Sequence, residues 1–250
     1  MTAVLMYHAL NHGEPGERYS LRASVFEEQM QAISRTDKPV INIEQYFRNP
    51  VQDGIIVTFD DGHGSNLNLA VPVLKAYGFT ATFFVTTDWI GSRSQWLDWD
   101  DIGKLIDQDM DVQAHGHTHR FMNGLRGAEL LGELRQPKDL CKRMVGKDVR
   151  HLSLPGGRYS KETLKVAGRC GYRTLSTSIP GINESRQTTE PWILKRYVIH
   201  QGTSRESFSK IIHCDRRYAR RMEARYRMRR GFQSVLGGRL YHRLWSMRNN

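Results

Sequence analysis

Two adjacent carboxylates stand at the end of an apolar segment in the first third of the chain. Asp60 and Asp61 directly follow residues 54–59, whose composition is typical of a buried strand. Neighbouring carboxylates repel each other unless they share a cation or a proton. The pair therefore predicts a positively charged partner at this strand end.

Two histidines further along the chain could supply the other ligands of a metal ion. His115 and His119 follow a second strand-like segment and are four residues apart, so they converge on one ion if the segment turns helically. One aspartate and two histidines give three protein ligands and leave a position for water, which is typical of catalytic rather than structural zinc sites. The second aspartate would then be free to act as a base beside the metal.

The elements that must position these residues alternate regularly between strand and helix patterns. The strand-like segments are 3–8, 54–59, 80–86, 111–115, 151–155, 172–178 and 194–200. The helix-like segments are 24–34, 68–77, 100–108, 127–143, 160–169 and 204–212. Such alternation predicts a parallel sheet with helices outside, either open or closed into a barrel. In both arrangements active sites lie at the carboxyl ends of strands, where the aspartates and histidines fall.

The composition is that of an ordinary globular protein with 250 residues, of which 39% are hydrophobic and 25% charged. No apolar run approaches the roughly 18 residues needed for a spanning helix. The first ten residues are interpreted as a strand rather than a signal peptide. Three cysteines without a CxxC motif favour a reducing compartment. We therefore expect a cytoplasmic protein.

The positive charge is concentrated in a C-terminal tail, residues 214–250, which we separate from a catalytic unit at 1–213. The tail holds eleven arginines and no lysine, against Asp215 and Glu223. Apolar residues recur at helical spacing, first at 218, 222 and 226 and again at 240, 241, 244 and 245. This pattern favours a basic amphipathic helix that binds an anionic membrane surface at the inner face or a protein partner. Alternatively, the apolar stripes pack on the catalytic unit or on a second subunit. Nucleic acid is an unlikely partner because no recognised motif accompanies the arginines.

Three motifs in a fixed order resemble a known family. "TFDDG" at 58–62, "HGHTH" at 115–119 and "LPGG" at 154–157 are similar to segments of the polysaccharide deacetylases, the NodB-like carbohydrate esterase family 4. The resemblance covers about residues 3 to 210. It implies an irregular (β/α) barrel of about seven parallel strands, and it implies removal of N- or O-acetyl groups from sugars.

The resemblance also assigns roles to particular residues. It implies that Asp60 is the general base and that Asp61, His115 and His119 hold one divalent metal ion, for which zinc is favoured. The backbone N–H of Gly156 would help to hold the oxyanion. The family's acid histidine has no clean counterpart, and His200 in "YVIH" is the nearest candidate. An acetylated glycan is the substrate expected, and exopolysaccharide biosynthesis is a fitting role.

The chain departs from the family pattern at three positions. The arginine that commonly orients the base is replaced by Ser153, and Arg158 or Arg150 could substitute for it. The residue after the first histidine is Gly116 rather than Ser or Thr, and the aromatic residue after the proline is Gly156. The departures concern the acid and the substrate subsite more than the metal site. Three tryptophans, at 89, 96 and 99, could stack on a sugar ring or anchor their loop in the core.

Three other functions remain open from the sequence. The first is hydrolysis of a non-sugar linear or cyclic C–N bond on the same fold. The second is glycan binding without catalysis. The third is a two-metal phosphoesterase, because "GHTHR" at 116–120 is similar to a motif of that class, although its other motifs are missing.

Overall fold

The computed structural model describes residues 1–13, 19–49, 53–183 and 190–235, with the side chains of the last five described residues excepted. The strands are β1 (Thr2–Tyr7), β2 (Leu10–Asn11), β3 (Leu21–Arg22), β4 (Val40–Ile41), β5 (Gly54–Phe59), β6 (Thr82–Val85), β7 (Asp111–Ala114), β8 (His151–Ser153), β9 (Thr174–Ser176), β10 (Trp192–Leu194) and β11 (Tyr197–Val198). The helices are α1 (Ala23–Ser34), α2 (Ile43–Arg48), α3 (Val71–Ala76), α4 (Trp99–Asp107), α5 (Gly127–Val145), α6 (Lys161–Arg169), α7 (Arg205–Ile212) and α8 (Arg216–Val235).

The main sheet is parallel and curls into an irregular barrel. Its strands follow the order β10-β9-β8-β7-β6-β5-β1-β11, and β4 pairs with the first half of β5. The two ends of this order, β10 and β11, are joined by only Lys195 and Arg196, so the sheet must bend round until its edges approach each other. The predicted barrel is confirmed. Within the described residues the sheet has nine strands rather than the seven predicted, because β4 joins it and because β10, which begins at Trp192, largely precedes the predicted segment 194–200 that contains β11.

The strands carry apolar side chains on both faces because both faces are buried. Alternate residues of β1, β5 and β6 pack outward beneath the helices α1, α3 and α4. The intervening residues, Val4, Ile56 and Phe84, point into the barrel with Trp192 and Leu194. Helix α2 adds Ile43 and Tyr46 to this inner cluster and so fills one end of the barrel. Asp60 and Asp61 follow β5 at the other end.

The basic C-terminal helix begins on the barrel. Cys214 and Ala219 belong to the outer core, and Tyr218 packs against it. Glu223 receives a hydrogen bond from Lys195 Nζ at 2.7 Å. The first turns of α8 therefore pack on the catalytic unit, as the alternative interpretation of the tail expected. The second apolar stripe lies outside the described residues, so the division at 213/214 and membrane or partner binding by the tail stay predictions. Among the described residues no helix is long and apolar enough to cross a membrane.

Candidate metal and active site

Two strand ends bring the predicted metal ligands together. Asp61 follows β5, and His115 follows β7, with only β6 between these strands in the sheet. His119 lies four residues further along the loop after β7. The backbones of Asp61 and His119 both adopt left-handed φ angles, of 80° and 61°. Such angles are uncommon outside glycine and often mark functional sites.

The three ligand side chains converge on one point. Asp61 Oδ1 lies 3.2 Å from His115 Nε2 and 3.3 Å from His119 Nε2. This oxygen is buried and has no hydrogen-bond partner of good geometry among the described residues. Three potential metal-ligand atoms that converge without forming hydrogen bonds to each other have the arrangement of ligands around an ion. One carboxylate oxygen and two imidazole nitrogens also suit a divalent metal of the zinc type, so the set fits the predicted metal.

The imidazole of His115 is held in the tautomer that a metal ligand needs. Its Nδ1 donates to the carbonyl oxygen of Ser153 at 2.9 Å, which leaves the lone pair of Nε2 directed at Asp61. Burial alone would lower the pKa of His115, but the carboxylates of Asp60 and Asp61 outweigh it, and the pKa lies above its ordinary value. Burial would raise the pKa of Asp61, but the adjacent His115 and His119 hold it well below the usual range.

The predicted base, Asp60, is fixed by a buried arginine. Arg196 Nη1 donates to Asp60 Oδ1 at 2.7 Å, and Nη2 donates to Oδ2 at 2.8 Å. The hydroxyl of Ser153 donates to Oδ2 at 2.9 Å and accepts from Arg196 Nη2 at 2.8 Å. Burial would raise the pKa of Asp60, but Arg196 and His115 lower it below the ordinary value. The carboxylate is thus kept ionised and oriented.

Arg196 orients Asp60 in place of the family's arginine, whose position is taken here by Ser153. Neither Arg150 nor Arg158, the two arginines suggested from the sequence, has this role. Arg150 Nε pairs with Asp148 at 3.1 Å, and the guanidinium of Arg158 lies over the ring of Phe121 at 4.4 Å. Arg196 reaches Asp60 across 136 sequence positions from the link between β10 and β11. The signal that could have identified it is the pair of charged residues, Lys195 and Arg196, inside the otherwise apolar run "WILKRYVI".

Two histidines stand at the carboxyl ends of the strands beside the base. His8 follows β1, and its pKa is lowered by burial, an effect partly offset by Asp61 and Asp60. The Nδ1 of His8 is buried and makes no hydrogen bond among the described residues. His200 follows β11, and its Nδ1 accepts a hydrogen bond from the N–H of Gly202 at 3.0 Å. The catalytic role of His200 stays a prediction, and His8 lies within the electrostatic field of the two aspartates.

Two of the three tryptophans form a stacked pair beside His119. The ring of Trp89 stacks on Trp96 with centroids 4.6 Å apart and lies 4.7 Å from the ring of His119. Both tryptophans are half-buried, whereas Trp99 packs against the core. The pair therefore forms a partly exposed aromatic surface beside the candidate site, and only Trp99 acts as an anchor of the loop in the core.

The loop after β8 places Gly156 at the surface, with a left-handed φ of 61°. A Cβ at this position would lie 2.8 Å from Phe121 Cε1, so the ring of Phe121 would have to move, and the left-handed φ also favours glycine. The ring of Phe121 thus occupies the space next to Gly156, where the family pattern has an aromatic side chain. The proposed contact between the Gly156 N–H and the oxyanion stays a prediction.

Comparison with known proteins agrees with this geometry. The family described as polysaccharide deacetylase matches residues 48–175. The Bacillus subtilis (strain 168) protein YxkH is 30% identical over 217 residues, which cover 84% of this chain and 75% of that protein.

Solved structures show the same fold. The Streptococcus pyogenes deacetylase PplD, solved with acetate, superposes with a TM-score of 0.76 at 23% identity, covering 84% of this chain and 97% of that chain. BC0361, a polysaccharide deacetylase from Bacillus cereus, superposes with a TM-score of 0.74 at 26% identity, covering 84% and 68% respectively.

Proposed function

The chain belongs to the polysaccharide deacetylase family, and from this premise we propose that it is a metal-dependent hydrolase that removes acetyl groups from a carbohydrate. The observation that carries the proposal is the convergence of Asp61, His115 and His119 beside an aspartate held by a buried arginine. We propose one divalent ion per chain, with zinc favoured by the ligand set. The substrate is an acetylated polysaccharide or glycan precursor, such as one from exopolysaccharide biosynthesis.

The residues divide the work of hydrolysis. Asp61, His115 and His119 would hold the divalent ion, which when bound would supply Lewis acidity to the acetyl carbonyl and to the attacking water. Asp60 takes a proton from the attacking water, and Arg196 keeps Asp60 ionised and aimed. The N–H of Gly156 is proposed as a donor to the negative charge that develops on the acetyl oxygen.

The departing amine or alkoxide needs a proton, and we propose that His8 rather than His200 supplies it. His8 lies in the field of Asp60 and Asp61 and has a buried Nδ1 without a hydrogen bond. His200 is engaged with Gly202 through its Nδ1. We expect His8→Ala to reduce the rate of acetate release far more than His200→Ala does. A larger loss of rate in His200→Ala than in His8→Ala would instead indicate that His200 is the acid.

A sugar substrate is supported by the aromatic pair beside the metal ligands. Sugar rings stack on aromatic faces, and Trp89 and Trp96 present such a surface next to His119. Hydrolysis of a non-sugar C–N bond would not need this surface. It therefore remains the second candidate, followed by glycan binding without turnover. The cytoplasmic location expected from the sequence is retained as a proposal.

The test pairs metal analysis of the purified protein with acetate release from acetylated glycans. We expect about one zinc-like ion per chain, with acetate release that stops on chelation, and loss of both metal and activity in Asp61→Asn. One ion without acetate release would favour the other C–N hydrolases or a binding protein. Two ions would favour the phosphoesterase. Full activity in Asp61→Asn would contradict the proposed site.

A further inference from the structure

We propose that Glu133 is a positioning residue, which holds the loop of residues 115–119 in the shape that lets His119 bind metal. We name these residues the histidine loop. The inference rests on the metal site of the proposed function. Glu133 is not itself one of the proposed ligands, and its role would be to fix the position of His119.

Glu133 is a buried carboxylate that is fully engaged with the histidine loop. It lies on α5 and is 5% exposed. Its Oε2 accepts from the backbone N–H of His117 at 2.8 Å and from that of Thr118 at 3.0 Å. Its Oε1 accepts a short hydrogen bond from the hydroxyl of Thr118. Hydrogen bonds to an ionised acceptor are about twice as strong as neutral ones. One carboxylate therefore satisfies two successive backbone donors that no strand or helix pairs.

The two histidine ligands differ in how they are held. His115 is buried at the strand end and is oriented by the carbonyl of Ser153. The side chain of His119 is 29% exposed, and its place depends on the path of the loop backbone and on the ring of Trp89. That path includes a left-handed φ at His119 itself. A left-handed conformation at a residue other than glycine persists only where the surroundings impose it.

Glu133 acts together with a second set of contacts on the other side of the loop. The side chain of His117 pairs with Thr87 Oγ1 at 2.9 Å, and the carbonyl of His117 accepts from the N–H of Asp88 at 2.9 Å. The middle of the histidine loop is thus held between the segment after β6 and helix α5. His119 follows this clamped segment directly, so its position is set by both supports.

The glycine after the first histidine is explained by the same contact. Gly116 has a φ of 76°, and a Cβ there would lie 3.1 Å from Glu133 Oε2 and 3.1 Å from Met122 Cε. A serine or threonine would press against the carboxylate in a backbone conformation that already disfavours a side chain. Gly116 and Glu133 are therefore a matched pair, which accounts for one departure from the family pattern.

The experiment compares Glu133→Gln and Glu133→Ala with wild type and with Glu129→Gln. Glu129 lies one turn earlier on the same helix, and its exposed carboxylate binds Arg120, which follows the histidine loop, at 2.9 Å. It is a matched control because it removes a carboxylate from the same helix without touching residues 115–119. Zinc affinity is measured by competition with a chelating dye, the cobalt-loaded proteins are compared by visible absorption, and unfolding is measured for the metal-free proteins.

We expect zinc affinity to fall about tenfold in Glu133→Gln and about 100-fold in Glu133→Ala, the range typical for residues that orient metal ligands. The cobalt spectrum should change in both variants, and Glu129→Gln should match wild type in all three measurements. Glutamine keeps the shape, so Glu133→Gln should fold even if the alanine variant does not. Wild-type zinc affinity and an unchanged cobalt spectrum in Glu133→Gln would overturn the proposal, whatever happens to its stability. If the wild type binds zinc without releasing acetate, the proposed reaction fails and the role of Glu133 is still tested.

Discussion

Replacing Arg196 by methionine should move the pH dependence of catalysis towards neutrality. The guanidinium of Arg196 and the carboxylate of Asp60 are both almost completely buried and share two hydrogen bonds, at 2.7 and 2.8 Å. Removing one partner of a buried ion pair costs about 3–5 kcal/mol, because the other charge stays buried without compensation. Protonation of Asp60 relieves this cost.

Protonation would recover about 3–5 kcal/mol, so the pKa of Asp60, which Arg196 and His115 now hold below its ordinary value, should rise in Arg196→Met. Asp60 works as a base only when ionised. The acid limb of the plot of kcat/KM against pH should therefore move to higher pH in Arg196→Met.

The assay is acetate release from an acetylated glycan between pH 3 and 9, with the metal content of each sample measured in parallel. Arg158→Met is the control, because Arg158 lies over Phe121 and does not contact Asp60. Its acid limb should coincide with that of wild type. A profile of Arg196→Met that overlays the wild-type profile, with metal retained, would refute the role of Arg196 in holding the base.

Two further predictions concern the opposite end of the barrel and the substrate surface. Glu44 accepts a hydrogen bond from His151 Nε2 at 2.8 Å, which is the main cause that lowers its pKa to about 2 from an ordinary 4.5. Since the pKa of Glu44 is lower in the folded than in the unfolded protein, its ionised form stabilises the folded state by at most about 3 kcal/mol. This stabilisation is present above pH 4.5 and is lost as the pH falls through 2. Glu44→Gln should therefore lower the unfolding temperature at pH 7 but hardly at pH 2, and an equal loss at both would contradict this. Trp96→Ala removes one ring of the aromatic pair and leaves the contact between Trp89 and His119 in place, so it should raise KM for a glycan by up to about tenfold and leave hydrolysis of a small acetyl ester nearly unchanged; an equal loss on both substrates would indicate damage to the metal site instead.

Much of the barrel could be predicted from local patterns, and the exceptions have physical causes. The long apolar segments were recognised as strands because parallel strands buried on both faces have continuous apolar sequences. Helix α2 was missed because its six residues are too few to show a helical period. The missed signal was its capping box, in which Asn42 accepts from the N–H of Gln45 and the Gln45 side chain accepts in return.

Some residues of the site could be identified from local sequence motifs, and others only from the three-dimensional fold. The proposed metal ligands could be selected from the sequence because they follow β5 and β7 in recognisable motifs, and the structure brings the three side chains together. Arg196 was not, because its partner Asp60 lies 136 positions away and only closure of the barrel brings the two together. Glu133 looked like one more charged residue on an amphipathic helix, and its burial against the histidine loop is visible only in three dimensions.

The two-residue link between β10 and β11 determines which part of the site is completed last along the chain. The three proposed metal ligands and Glu133 lie between residues 61 and 133, whereas Arg196, which pairs with the proposed base, lies in the last connection of the barrel. A chain whose edges have not yet met therefore contains every proposed ligand but lacks the guanidinium that pairs with Asp60. On the proposed mechanism, full hydrolytic activity would depend on closure of the barrel.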